Sequence, residues 1–160
     1  MAKTAGGTPA TRALTEAGVA FTLHPYNHQD DSRDFGAEAA RELGVDELRI
    51  FKTLVVDTGA GLAVSVVPVA TQLDLKAVAA ALGVKRATMA DPAAAERSSG
   101  YVVGGISPVG HRTPLPTVLD EAAQLCDTVY VSAGKRGLQV ELAPGDLATV
   151  TGAAWGDIAR

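Results

Sequence analysis

Two apolar runs held apart by four small residues constrain the fold of this chain more than any other feature. Ile50 to Asp57 and Leu62 to Val67 are rich in β-branched and aliphatic side chains, and Thr58-Gly59-Ala60-Gly61 lies between them. Such a pair reads as a β-hairpin. A second hairpin is expected near the C-terminus. There Thr128 to Ser132 and Leu138 to Leu142 alternate polar and apolar residues around the basic tip Ala133-Gly134-Lys135-Arg136-Gly137. Val19 to Leu23 reads as a further strand.

Helix start and stop signals fill most of the remaining chain. Thr8-Pro9 opens a short helix that Gly18 closes, and the polar stretch from His24 to Asp34 reads as a loop running into a helix that ends at Gly44. Asp74 to Leu82 stops at Gly83, Asp91-Pro92 opens another helix, and Pro144 to Val150 is the last. From Gly100 to Pro116 the chain is dense in Gly and Pro, and a loop of that length in a compact domain is often functional. Strands and helices alternate without a strict βαβ repeat, and hairpins dominate. The expected class is therefore α/β or α+β with a mixed, largely antiparallel sheet. A chain of 160 residues suits one domain, here over residues 8–160 after a flexible start over residues 1–7.

Several function classes are disfavoured at once. No apolar run approaches the length of a membrane span and residues 1–7 carry no secretory signal, so a cytoplasmic location and no membrane partner are expected. Cys126 is the only cysteine, which leaves no internal disulfide and no CxxC site. His24, His28 and His111 show no metal-ligand spacing, since Pro25 breaks the helix that would bring the first two together. No metal is expected, and no cofactor either, because neither GxxxxGK[ST] nor GxGxxG after a strand occurs. A net charge of −4 disfavours a generic nucleic-acid coat. Residues 70–115 nonetheless hold five basic against three acidic side chains, so a local basic face stays open.

Lys52 interrupts Ile50-Phe51-Lys52-Thr53-Leu54-Val55-Val56, a run that otherwise calls for burial. Its ammonium either faces solvent from a half-exposed strand or lines a cleft, where it would hold a phosphate or a carbonyl. Gly104-Gly105-Ile106-Ser107-Pro108 is either a structural loop or a backbone cradle whose N–H groups meet developing negative charge. The segment Ser132 to Gly137 is a solvated turn or a phosphate contact. Ser107 and Ser132 have no adjacent histidine and no GxSxG elbow, so a Ser-His-Asp hydrolase has no support. Tyr26 and Phe35 flank the polar loop as core aromatics or as stacking surfaces for a flat ligand.

Taken in order, the strings TPA at Thr8, HPYNH at His24, FG at Phe35, FKTL at Phe51, QLDLK at Gln72, MADP at Met89, SSGY at Ser98, GGISPVG at Gly104, YVSAGKRGL at Tyr130 and DIA at Asp157 resemble the YbaK family. These are trans-editing aminoacyl-tRNA deacylases related to the editing domain of bacterial prolyl-tRNA synthetases. The resemblance covers nearly the whole chain. It implies a β-barrel-like mixed sheet wrapped by helices, and cleavage of an aminoacyl ester at the acceptor end of a tRNA, most closely Cys-tRNA(Pro). It implies catalytic roles for Lys52 and Gly104, with Tyr26, Phe35, Thr53, Gly105, Ile106, Ser107, Pro108, Ser132 and Arg136 binding substrate. It also implies prolyl-tRNA synthetase as partner and a reaction in which the substrate thiol attacks its own carbonyl. Lys52 then acts as a positioning cation, because an amine of pKa about 10.4 is a poor base at neutral pH. Ala133 departs from the family, whose members usually carry glycine there. A deacylase for alanine or another small amino acid, and a non-catalytic module that binds tRNA ends or a synthetase, are the alternatives.

Overall fold

The computed structural model describes residues 7–29 and 34–160. The flexible start expected over residues 1–7 lies, apart from Gly7, outside them. No described helix is long and apolar enough to cross a membrane.

Helix α1 (Pro9–Glu16) begins in a capping box: the Thr8 hydroxyl accepts from Thr11 N–H and the Thr11 hydroxyl accepts from Thr8 N–H. The same Thr8 hydroxyl donates to Ala133 O, at 2.5 Å, and so ties the helix to a distant strand. Strand β1 (Thr22–Pro25) starts three residues later than expected and takes in His24 and Pro25, which the sequence placed in a loop. Its ladder decides the matter: Thr22 to Pro25 pair antiparallel with Glu141 to Leu138. Pro25 is tolerated because β1 is the edge strand, where one face of the backbone needs no donor. Helix α2 (Phe35–Leu43) ends on Gly44 in the left-handed region, as its C-cap requires.

The hairpin of β2 (Phe51–Asp57) and β3 (Leu62–Pro68) is the backbone of the larger sheet. Helix α3 (Leu75–Leu82), the two-residue strand β4 (Thr88–Met89) and helix α4 (Pro92–Ser99) follow. Strand β5 (Thr117–Asp120) lies parallel to β3. Strands β6 (Val129–Lys135) and β7 (Leu138–Leu142) form the second hairpin, with a register shift between Ser132 and Lys135. Helix α5 (Pro144–Thr151) and strand β8 (Ala154–Gly156), parallel to β5, complete the chain.

Two sheets result, β1-β7-β6 and β4-β2-β3-β5-β8, joined by a bridge between Ile50 and Tyr130. The class and the largely antiparallel pairing are as expected, but β4, β5 and β8 were not foreseen. Asp120 explains part of this. Its buried carboxylate accepts from Ala122, Ile158 and Ala159 N–H, each at 3.0 Å, and anchors a C-terminal segment far away in sequence.

The main core lies between the sheets. Val129, Val131, Ala133, Leu138, Val140 and Leu142 face Phe51, Val55, Val64 and Val66 across it, with Leu14, Leu119 and Leu147 closing the ends. Each fully buried Leu or Val contributes about 1.5–3 kcal/mol over exposure. A second cluster puts Val56, Ala63, Val67 and Val118 against Val78 and Ala79 of α3. A third seats Ala39 and Ala40 of α2 on Ile50 and Tyr130. It therefore covers the outer face of β6 at Tyr130, which alternation alone would leave in water.

Candidate active site

Between α2, the start of β2, the loop before Ile106 and the outer face of β6 and β7 lies a cavity of about 480 Å³. A ladder that comes apart creates it. Val69 N–H donates to Ile50 O and Ala90 N–H donates to Val55 O, which sets the parity of β2. Even-numbered residues of β2 therefore bond β3, and the N–H and C=O of Thr53 point away from β3. On that side β2 meets β6 only at Ile50 and β4 only at Val56 and Asp57. Thr53 sits in the interval, where neither partner reaches, and lines the cavity.

Lys52 lines the same cavity, half-buried, and its ammonium donates to Thr71 O at 2.7 Å. Burial lowers its pKa from the ordinary lysine value. Among the described residues it forms no ion pair; the cavity lining also holds a carboxylate, Asp34, which accepts from Arg41 at 3.2 Å. Both readings of Lys52 from the sequence meet here: the residue stands on a half-exposed strand, and that strand edge lines a cleft.

The opposite wall is Phe35 and Gly104. Gly105 N–H donates to Val102 O at 2.8 Å, which closes a turn with Gly104 in its third position at φ +89°. A Cβ on Gly104 would lie 2.6 Å from the Phe35 ring, and one on Gly105 would lie 2.8 Å from Lys135 Cα. Gly36 is equally constrained, since a Cβ there would strike Val69 Cγ1 at 2.2 Å. The paired glycines and the Phe35-Gly36 string thus serve one purpose, close approach of three backbone segments around the cavity. The N–H groups of Gly104 and Ile106 make no hydrogen bond among the described residues.

The structure divides the expected site residues into groups. Lys52, Thr53, Phe35, Gly104, Ile106 and Ser132 line the cavity. Gly105, Ser107 and Pro108 are buried behind it and hold the loop in shape. Ser107 Oγ accepts from Val109 N–H, Ser107 O meets His111 Nε2 at 2.6 Å, and the Tyr101 hydroxyl donates to Val109 O at 2.6 Å. Burial pushes the Tyr101 phenol up to about 12, so it stays a donor throughout. Arg136 stands outside the cavity with its guanidinium 5.0 Å from the Phe35 ring centre and its Nε donating to Val103 O. Tyr26 lines a neighbouring depression together with His28, Lys135 and Arg136.

Behind Phe35 lies a buried acid that the sequence did not single out. Glu38 is 1% exposed, and it accepts from Gln29 N–H and meets His28 Nδ1, both at 2.7 Å. Burial alone would raise its pKa, but the Gln29 and His28 hydrogen bonds outweigh it and the net shift is downward. His28 in turn packs on Phe35 with ring centres 5.7 Å apart. Gln139 is a second residue missed. It lines the cavity beside its cross-strand neighbour Ser132, yet in sequence it reads as the polar half of an alternating strand. Ala133, the departure from the family pattern, has no positive φ and fills the main core with its methyl group, so glycine is not needed there. Gly134, at φ +108°, takes the strained position instead.

Residues 31–150 match the aminoacyl-tRNA editing domain family. The chain is 39% identical over 158 residues to EbsC of Enterococcus faecalis, named as a Cys-tRNA(Pro)/Cys-tRNA(Cys) deacylase, covering 98% of this chain and 95% of that protein. Among solved structures, one described as a trans-editing enzyme for prolyl tRNA synthetase superposes with a TM-score of 0.83 at 28% identity, covering 95% of this chain and 97% of that one. A hypothetical protein gives a TM-score of 0.84 at 27% identity, over 95% and 99% of the two chains.

Proposed function

The chain belongs to the aminoacyl-tRNA editing domain family, and from that premise we propose that it removes cysteine wrongly attached to the proline tRNA. The observation that carries this reading is the Lys52 ammonium, in no ion pair among the described residues, beside a cavity of about 480 Å³. A space of that size encloses a ligand larger than an amino acid, such as an aminoacyl ester with its terminal ribose. A fixed cation there attracts the polyanionic end of a tRNA.

The cavity also suggests how the bond is cut. Among the described residues its lining holds no cysteine or histidine, and neither of the hydroxyls there, Thr53 and Ser132, donates to a base, so none of them is an activated nucleophile. A cysteinyl substrate brings its own. The substrate sulfur attacks the carbonyl carbon; the S–C bond forms, the C–O bond to the ribose breaks, and the ribose oxygen takes up the proton that the thiol gave to solvent. Thiolactone and free tRNA leave. The free N–H groups of Gly104 and Ile106 are the candidate donors to the carbonyl oxygen as it gains charge. Lys52 orients the acceptor end, held in place by Thr71 O. Prolyl-tRNA synthetase is the proposed partner that presents the tRNA, and the cytoplasm the proposed location.

Proline tRNA charged separately with cysteine, alanine and serine tests the reading. Fast release of cysteine, with thiolactone as the first product, is the expected result. Release of alanine with cysteine spared would overturn it.

A further inference from the structure

A second depression, of about 460 Å³, lies where the basic tip of the β6–β7 hairpin meets the end of β1. Pro25, Tyr26, Asn27 and His28 line it together with Lys135 and Arg136. Main-chain contact builds it. Tyr26 N–H donates to Gly137 O at 2.9 Å, and a Cβ on Gly137, at φ +83°, would lie 3.0 Å from Tyr26 O. His28 is held by its Nδ1 on Glu38, so the wall is set before any ligand arrives. The depression also adjoins the cavity, because the Arg136 guanidinium and the His28 ring both pack on Phe35, which lines the cavity. One aromatic ring separates the two spaces.

Charge distinguishes this side of the cavity from the others. Helix α4, which lines the cavity through Pro92 and Ala95, carries Arg97 but also Glu96 and the capping Asp91, and Asp34 pairs with Arg41. The depression instead presents Lys135 and Arg136, both exposed and in no ion pair among the described residues. The carboxylate behind it, Glu38, is buried and already bonded to His28 and Gln29. A polyanion whose last residue enters the cavity is therefore drawn out over Lys135 and Arg136. The rest of the lining suits a base as well as a phosphate. Unpaired bases stack on aromatic rings, which Tyr26 offers, and the exposed Asn27 amide presents both a donor and an acceptor to a base edge. Resting on the reading of the cavity as an aminoacyl-ester site, we infer that this depression holds the nucleotide preceding the esterified adenosine, with its base on Tyr26 and Asn27 and its flanking phosphates on Lys135 and Arg136. Every tRNA ends in two cytidines and an adenosine, so the occupant is a cytidine. Tyr26 and Arg136, which stand outside the cavity, thereby contact the strand and not the ester.

A cycle between protein and tRNA tests the assignment. Proline tRNA is charged with cysteine in three forms: unaltered, abasic at the penultimate position, and with neutral methylphosphonates replacing the phosphates on either side of that position. The ratio kcat/KM is measured for the wild type, Asn27→Ala, Tyr26→Leu and Lys135→Ala. In the wild type the missing base should cost about 10-fold, the scale of one stacked base, through KM. The neutral linkages should cost several-fold, also through KM. Asn27→Ala and Tyr26→Leu should shrink the loss caused by the missing base and keep the loss caused by the neutral linkages. Lys135→Ala should do the reverse. Asn27 and Lys135 are exposed, so these two variants test the inference even where Tyr26→Leu disturbs the fold. A wild type indifferent to the missing base would overturn the inference, because it would mark a charged rim and no nucleotide site. Losses undiminished in Asn27→Ala and Lys135→Ala would also overturn it, sending the strand over another surface. A wild type that leaves even the unaltered Cys-tRNA(Pro) uncleaved would overturn the deacylase reading beneath it, a failure separable from the other two.

Discussion

The Phe35 ring occupies the place where a side chain on Gly104 would begin: a Cβ there would lie 2.6 Å from two of the ring carbons. These two residues stand 69 positions apart in the chain (104 − 35), and they close one wall of the cavity only because one of them has no side chain.

Gly104→Ala therefore combines two penalties, a φ of +89° and a clash with Phe35. Gly59→Ala separates them, since Gly59 has φ +86° and nothing within 4 Å of the added Cβ. Strain of about 1–3 kcal/mol is expected in both. Only Gly104→Ala should also displace Phe35 and lower kcat/KM, by about 10-fold or more. Thermal unfolding and single-turnover deacylation, run on both variants, check this.

Lys52→Met removes the ammonium from the cavity and should lower deacylation by about 100-fold, the scale of one preorganised electrostatic contact. Stability should hold or improve. The folded-state pKa of Lys52 lies below its unfolded value because burial disfavours the charged form. The unfolded chain thus binds the proton more tightly, and stability from this group rises with pH between the two pKa values. The activity of the wild type should accordingly fall on the alkaline side, at a pH below the ordinary lysine pKa of 10.5. In Lys52→Arg that alkaline limb should be absent.

Glu38 is shifted in the same direction, but there the charged form is the one the fold favours. Its folded-state pKa is depressed, so its contribution is present above the unfolded pKa and is lost as pH falls through the folded one. Glu38→Gln should flatten the acid limb of the stability curve and remove about 1–3 kcal/mol at neutral pH by weakening the bonds from Gln29 and His28. Urea unfolding from pH 3 to pH 7 reads both effects. Fluorine-labelled phenylalanine at position 35 would report whether the loss propagates through His28 to the cavity wall.

Arg136 is exposed, and its guanidinium rests on the Phe35 ring and Val103 O. If it also meets a phosphate of the acceptor strand, Arg136→Ala should raise KM several-fold and make the salt dependence of log KM shallower by about 0.7 for each phosphate left without its cation. An unchanged slope with raised KM would limit Arg136 to supporting Phe35.

The parts of the fold legible in the sequence are those whose signals are local. The Ile50–Leu62 hairpin carries its own turn, and Gly44 and Gly83 end their helices in the left-handed conformation that glycine adopts freely. Strands β4, β5 and β8 are two to four residues long and exist because distant segments hold them, as Asp120 holds Ile158 and Ala159. No window of the sequence contains that information. The site shows the same division. Lys52 is visible as a charge where burial is expected, and Gly104 as one of a pair of glycines. Gln139 is invisible because Leu138-Gln139-Val140 alternates like any strand with one wet face, and only the fold, which buries it at the cavity wall, makes that position dry. Neither Glu38 nor His28 stands out until the fold brings them behind Phe35.

The interval at Thr53, where β2 has left β6 and not yet met β4, has a consequence for how such a protein can change. A continuous ladder there would make a more regular barrel with no room for a substrate. Since the opening is set by main-chain divergence, the side chains around it can be exchanged without unpicking any strand. New substrate preferences can then arise at the seam while the architecture is inherited intact.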